Sequence, residues 1–266
     1  MEPFAIVLFK PKTSGNVGAV ARALKNMGLS DLRLVAPVDF NRGVAATMAV
    51  HGADVLDGAR IYPDLSAALE GCTLTVGTTC RPGPYRSSAH ELRETAGDLA
   101  IASRANKVAI IFGPEDFGLT NEELKLCQRL LTIPTAPEYS SLNLAQAVMI
   151  VAYELMMASR VSQDGAGTGS QANSEEAGEA EPIPRAPAGE VEAMMARLAA
   201  ALVAIGFIPA DNPDHIMFTI RNILGRSGLS ERELDILNGL AHQIGWFAGG
   251  GRETIEAKLL AGKKIR

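Results

Sequence analysis

Short, unbroken apolar runs recur through the first half of this chain, and the segments between them carry helical periodicity. The runs are Ala5–Phe9, Leu32–Val35, Leu74–Gly77, Val108–Phe112 and Leu130–Ile133. A strand that alternates apolar and polar residues keeps one wet face. A strand that is apolar at every position is buried on both faces, so helices must lie above and below it. Strands alternating with helices therefore imply an α/β fold, a mostly parallel sheet covered on both sides. After the first run, Val17, Val20, Ala21, Leu24 and Met27 share one helical face, and Gly28 stands where a C-cap belongs. Thr120 with Glu123, and Ser230 with Glu233, have capping-box spacing.

The pattern fails between residues 159 and 189. Gly and Ser dominate the start, an acidic stretch from Glu175 to Glu181 follows, and Pro182, Pro184 and Pro187 close it. Such a composition cannot bury a core and reads as a flexible linker. The expected organisation is an α/β domain over 1–158, a linker over 159–189 and a helical domain over 190–266. The candidate helices of the last part are Glu190–Ile205, Pro213–Leu224, Ser230–Phe247 and Glu253–Ala261.

Composition excludes several classes. With 47% hydrophobic and 21% charged residues, the 266-residue chain reads as an ordinary soluble globular protein. A net charge of −5 gives no overall attraction to nucleic acid, yet Lys10, Lys12, Arg22, Lys25 and Arg33 make the N-terminal segment locally basic. Cys72, Cys80 and Cys127 form no CxxC pair and have no His at metal spacing, so neither a disulfide framework nor a metal site is expected. That cysteine usage, with no signal-peptide pattern and no uninterrupted membrane-length apolar run, points to the cytoplasm and away from a membrane. The GxGxxG, GxxxxGK[ST] and GxSxG patterns are missing, and His51, His90, His215 and His242 stand isolated.

Polar clusters follow the strands, where open α/β sheets place their ligands. The first runs from Lys10 to Arg22, with Asn16 at a helix entrance and Arg22 off the buried stripe. The second runs from Gly113 to Thr120. Its Glu115 lies between Gly113 and Gly118, residues suited to a sharp bend or a close ligand approach. The third, Glu138 to Leu144, opens an apolar helix. There Ser140 or Ser141 either caps the helix or adds hydrogen-bonding groups to a ligand site at its N-terminus. A weaker fourth stretch, Thr78 to Arg86, is a polar loop with two arginines.

Taken together, Ser14–Arg22, Gly113–Leu119 and Tyr139–Leu144 resemble the three ordered motifs of the SpoU class of RNA 2′-O-ribose methyltransferases. The wording from Pro137 to Leu144 and the C-terminal helices resemble the TrmJ subgroup, which modifies the tRNA anticodon loop two nucleotides before the anticodon. The resemblance implies a deep trefoil knot near the third motif, a homodimer with sites near the subunit interface, and S-adenosylmethionine as methyl donor. Carried over by position, donor contacts fall on Thr78, Thr79, Cys80, Gly113, Ile133, Ser140, Ser141 and Leu142. The functional positions fall on Asn16, Arg22, Glu115, Ser141 and Asn143. The matching arginine is often assigned as the base in this family. Deprotonating an ordinary guanidinium near neutral pH costs roughly 7 kcal/mol, so an electrostatic role toward the RNA is expected instead. Two stretches depart from the family pattern, Asp116-Phe117 and the Pro-rich loop Cys80–Arg86. The alternatives are a SpoU-type enzyme acting on ribosomal RNA or another tRNA position, and an RNA-binding module without catalysis.

Overall fold

The computed structural model describes residues 3–81, 83, 86, 89–164 and 184–251. They divide into two compact units, Met1–Ala188 and Gly189–Arg266. The first unit holds a seven-stranded, entirely parallel sheet. In chain order its strands are β1 (Phe4–Phe9), β2 (Asp31–Val35), β3 (Arg60–Tyr62), β4 (Leu74–Thr78), β5 (His90–Glu91), β6 (Val108–Phe112) and β7 (Arg129–Thr132). Their order across the sheet is β3-β2-β1-β6-β4-β7-β5. Every residue of the central strands β1 and β6 is buried, as their unbroken apolar runs require.

The five expected strands are present to within a residue at each end. β3 and β5 were not expected, because both are short edge strands with exposed residues and no apolar run. Helices α1 (Ser14–Asn26), α2 (Arg42–Ala49), α3 (Ala53–Asp57), α4 (Leu65–Ala68), α5 (Leu92–Ala102), α6 (Asn121–Leu124) and α7 (Leu144–Asp164) connect and cover the strands. Val17, Val20, Ala21 and Leu24 of α1, with Val148, Val151, Ala152 and Leu155 of α7, join Ile6, Leu8, Ile110 and Phe112 in one core.

Two glycines let α1 be approached closely. A Cβ on Gly18 would lie 1.9 Å from the Ala45 carbonyl oxygen of α2, and one on Gly52 would lie 2.8 Å from Arg22 Cα. Bare backbone at these points seats α1, and with it Asn16 and Arg22, against its neighbours.

The linker boundaries need correction. α7 continues to Asp164, because Ser159 to Ser162 contain no helix breaker. Its first 18 residues, Leu144–Val161, are long and apolar enough to cross a membrane by length and composition, although Gln146, Glu154 and Arg160 interrupt the run, as expected from the sequence. Its inner face nonetheless belongs to the core just described. At the far end, the Arg185 N–H donates to Asn106 Oδ1 (2.9 Å), Ala186 is fully buried, and the Ala188 N–H donates to the Cys72 carbonyl (2.9 Å). Residues 185–188 are therefore held on the first unit, and the middle of the expected linker, 165–183, lies outside the described residues.

The second unit contains α8 (Ala188–Ala204), α9 (Asp214–Ser227) and α10 (Glu231–Trp246), followed by a π-helical turn over Phe247–Gly251. Val191, Met194, Met195, Leu198 and Ala201 form the buried stripe of α8. Arg221 of α9 pairs with Glu192 of α8 at 2.7 Å. The Ser230–Glu233 capping box opens α10. The expected helix Glu253–Ala261 lies outside the described residues.

Candidate functional site

Parallel strands bring their carboxyl ends to one edge of the sheet, so the loops after β4, β6 and β7 converge there. Between them lies a cleft of about 270 Å³. All eight expected donor-contact positions line it: Thr78, Thr79, Cys80, Gly113, Ile133, Ser140, Ser141 and Leu142. Phe112, Leu119, Leu131 and Ile133 supply apolar wall, and Ser140 and Ser141 supply exposed hydroxyls. Thr78 Oγ1 donates to the Ile111 carbonyl (2.9 Å), and the Thr79 N–H donates to the Leu131 carbonyl (2.9 Å), so this loop is tied to both flanking strands.

Glycine explains the shape of the loop after β6. A Cβ on Gly113 would lie 2.3 Å from the Gly118 carbonyl carbon and the Leu119 nitrogen. Gly118 has φ +65°, and its N–H closes a turn on the Pro114 carbonyl at 2.9 Å. Both positions exclude a side chain, one by contact and one by backbone conformation.

Glu115 projects from this turn onto α1. Its Oε1 accepts from Asn16 Nδ2 (2.9 Å) and the Thr13 N–H (3.2 Å), and its Oε2 accepts from the Lys12 N–H (2.9 Å). Burial alone would raise the pKa of this carboxyl. The donated hydrogen bonds from Asn16, Lys12 and Thr13 outweigh it and hold the group below the usual carboxylate range. Glu115 is thus ionised at neutral pH with its lone pairs engaged, an arrangement that suits an anchor better than a proton acceptor.

Asn16 passes the order on. Its Oδ1 accepts from Asn143 Nδ2 at 3.1 Å. Asn143 Oδ1 in turn accepts from the N–H groups of Ala145 (2.9 Å) and Gln146 (3.4 Å), the first turn of α7. The cap of α7 is therefore Asn143, not Ser140 or Ser141. Those serines stand too far before the helix start at Leu144 and are left exposed on the cleft. One hydrogen-bonded relay, Glu115–Asn16–Asn143, links the three polar clusters.

Arg22 does not join them. It is exposed, is absent from the cleft lining, and makes no hydrogen bond or ion pair among the described residues. On a helix rising 1.5 Å per residue it stands about 9 Å along α1 from Asn16. The expected basic segment is also thinner than its sequence suggests. Lys12 pairs with Asp116, Lys25 pairs with Asp54, and Arg33 is buried against Asp31 at 3.0 Å. The backbone donors of Lys12 and Thr13, and Ala147 in the cleft wall, had no sequence signal. Pro82, Pro84 and Tyr85 of the Pro-rich loop lie outside the described residues. Its Arg81 and Arg86 line the cleft, with Arg81 Nη2 donating to the Asp116 carbonyl (3.1 Å) and Arg86 Nη2 to the Leu119 carbonyl (3.1 Å).

Comparison with known proteins gives the same picture. The profile of the SpoU rRNA methylase family matches residues 3–153, and that of the tRNA methyltransferase TrmJ C-terminal domain matches residues 189–254. The tRNA (cytidine/uridine/adenosine-2′-O-)-methyltransferase TrmJ of Pseudomonas aeruginosa (strain UCBPP-PA14) is 39% identical, over 94% of this chain and 96% of its own length. The tRNA (cytidine/uridine-2′-O-)-methyltransferase TrmJ of Escherichia coli (strain K12) is 38% identical, over 92% of this chain and 96% of its own length. Among solved structures, TrmJ from Z. mobilis ZM4 aligns with TM-score 0.71 and 32% identity, over 90% of this chain and 98% of that one. With this fold, this cleft and these matches, the chain belongs to the SpoU methylase family and carries a TrmJ-type C-terminal domain.

Proposed function

We propose that this chain is an S-adenosylmethionine-dependent tRNA 2′-O-methyltransferase. It would act on cytidine and uridine in the anticodon loop, two nucleotides before the anticodon. The observation that carries this reading is the cleft itself, where the loops after β4, β6 and β7 meet the Glu115–Asn16–Asn143 relay. The residues present fit the donor. The aliphatic walls of Leu119, Leu131, Ile133 and Leu142 suit the faces of a purine, and the hydroxyls of Ser140 and Ser141 suit its polar groups. Gly113 keeps the backbone bare where a side chain would collide with the turn. When bound, the donor supplies an electrophilic methyl group on a sulfonium sulfur. The deep trefoil knot of the family belongs to this reading, and the convergence of loops from adjacent strands β6, β4 and β7 supports it.

The chain's own residues align a ribose 2′-hydroxyl with that methyl. Alignment of two reacting groups contributes on the order of 7–11 kcal/mol toward such a displacement. Glu115, in the cleft wall, is held from behind by Asn16, and Asn143 fixes the N-terminus of α7 beside it. Arg22 lies outside the cleft of its own chain, so we assign it to the cleft of a second copy. There it would hold an RNA phosphate and orient the ribose, with water or that phosphate taking the proton. The exposed stripe Ile150, Tyr153, Met157 and Val161 on α7 supports a homodimer through this face. The helical second unit would help to capture tRNA. A cytoplasmic location fits the free Cys72, Cys80 and Cys127.

The test is incubation of the full chain with labelled S-adenosylmethionine and, in separate reactions, total tRNA and ribosomal RNA. Incorporation that disappears in Arg22→Ala is expected. Mixing Arg22→Ala subunits with subunits blocked at the cleft by Ser141→Trp should restore part of the activity. Tight tRNA binding with no transfer to any RNA would instead favour the binding-module reading, and transfer only to ribosomal RNA would move the substrate.

A further inference from the structure

Phe117 is a large apolar side chain in the wall of the cleft that remains 40% exposed. A single exposed phenylalanine on a surface needs no explanation. This one stands on a loop pinned from several sides. Gly113 and Gly118 close the turn beneath it, Asp116 pairs with Lys12, and Arg81 holds the Asp116 carbonyl. Lys12 Nζ also lies 5.8 Å from the Phe117 ring centre, within cation–π range. The ring is thus held in place while much of its surface stays open at the mouth of the cleft. Phe112, Leu119 and Leu131 in the cleft wall are buried, so they are a separate surface from the exposed Phe117 ring.

The group beside the ring that suits a phosphate is a single guanidinium. Lys12 is already paired with Asp116, so the cation that counts beside the ring is the exposed Arg81, whose guanidinium makes its only described hydrogen bond to an uncharged carbonyl. An exposed, pre-positioned aromatic ring beside a cation is an arrangement on which an unpaired RNA base stacks while a phosphate is neutralised. We infer that Phe117 is the stacking platform for the base of the nucleotide to be methylated. Arg81 serves a flanking phosphate. This inference rests on the tRNA methyltransferase reading and gives it a positioning residue. By stacking, Phe117 fixes the glycosidic orientation and hence where the 2′-hydroxyl points, without touching the reacting atoms.

The test uses the full chain with Phe117→Ala, Phe117→Leu and Phe117→Tyr. Binding of tRNA is read by fluorescence anisotropy in the presence of S-adenosylhomocysteine, and transfer is read in single turnovers. Stacking is worth about 1–3 kcal/mol per base, so the Ala and Leu variants should bind tRNA roughly 5- to 150-fold more weakly. The Tyr variant should stay within about threefold of the wild type, a shift below the stacking range. Affinity for S-adenosylhomocysteine should be unchanged in all three. An RNA lacking the base at the target nucleotide should bind the wild type more weakly and Phe117→Ala no more weakly than intact RNA. A Leu variant equal to wild type overturns stacking in favour of bulk. A parallel loss of S-adenosylhomocysteine affinity would place the ring on the donor, and a changed oligomeric state would place it on a second copy. Wild-type chain that binds tRNA without methylating it would refute the enzymatic reading, while the anisotropy series would still decide the role of Phe117.

Discussion

Glu115→Gln isolates the charge of Glu115 from its shape. Glutamine fills the same volume but offers one acceptor oxygen where the carboxylate offers two. With the amide oxygen at the Oε1 position, the bonds from Asn16 (2.9 Å) and Thr13 (3.2 Å) survive as neutral ones, and the NH₂ faces the Lys12 N–H, donor to donor. The opposite orientation would place two donors against the amide, so the first is favoured. Losing charge assistance weakens each surviving bond by about 0.5–1 kcal/mol, and an unpaired donor costs about 1–3 kcal/mol. Lys12 is exposed, so water can reach its N–H and that penalty stays near 1 kcal/mol. The total is on the order of 2 kcal/mol, read as a lower urea midpoint at constant slope. If the same disorder reaches Asn16 in the reaction, single-turnover transfer should slow by roughly 10- to 30-fold. A variant with unchanged stability and rate would refute the relay as the organiser of the site. A loss beyond roughly 10⁴-fold with unchanged stability would make Glu115 a proton-transfer group instead.

Asn143→Ala should destabilise the protein by about 1 kcal/mol through the lost cap of α7. Asn143→Ser should recover most of that stability but not the transfer rate, since serine caps without reaching Asn16; recovery of both would remove the Asn16–Asn143 contact from the mechanism. Gly18→Ala gains about 1 kcal/mol of helix propensity but forces a Cβ against the Ala45 carbonyl, a penalty of about 3 kcal/mol, so a net loss near 2 kcal/mol is expected in urea melts. Asp31 is half-buried, which would raise its pKa, but Arg33 at 3.0 Å, Lys107 at 2.8 Å and Arg60 at 2.7 Å hold it far below the usual carboxylate range. Its stabilising effect is complete above the ordinary value of about 3.9 and is lost as pH falls below that value. Asp31→Asn should therefore cost about 3 kcal/mol at neutral pH and flatten the acid limb of the stability curve; an unchanged acid limb would show that Asp31 does not set it.

The central strands were legible because burial on both faces demands apolar residues at every position. The edge strands β3 and β5 were not, because a strand with one neighbour and wet faces leaves no such demand on Arg60–Tyr62 or His90–Glu91. The loops that line the cleft could be picked out from Gly113, Ser140 and Ser141 and their family resemblance. The partners of Glu115 could not all be placed, since backbone N–H groups of Lys12 and Thr13 carry no sequence signature and reach it across about a hundred residues of chain. Adjacent capping residues make a cap ambiguous until the helix start is fixed, and so Asn143 rather than a serine took that role. Charge in sequence says nothing of its partner, which is why Lys25 and Arg33 counted toward a basic patch although Asp54 and Asp31 neutralise them. The extent of α7 was misjudged for a related reason. Ser and Gln tolerate a helix, so a fall in hydrophobicity after Ser159 did not end one.

The most direct measurement is single-turnover transfer of a labelled methyl group to tRNA, followed by digestion and mapping of the labelled nucleotide. Label on the 2′-oxygen of a cytidine or uridine two positions before the anticodon, lost in Glu115→Gln and Arg22→Ala to different degrees, is the expected result. Label on a base, or on a ribose elsewhere in the tRNA, would contradict the assignment of the cleft and its substrate.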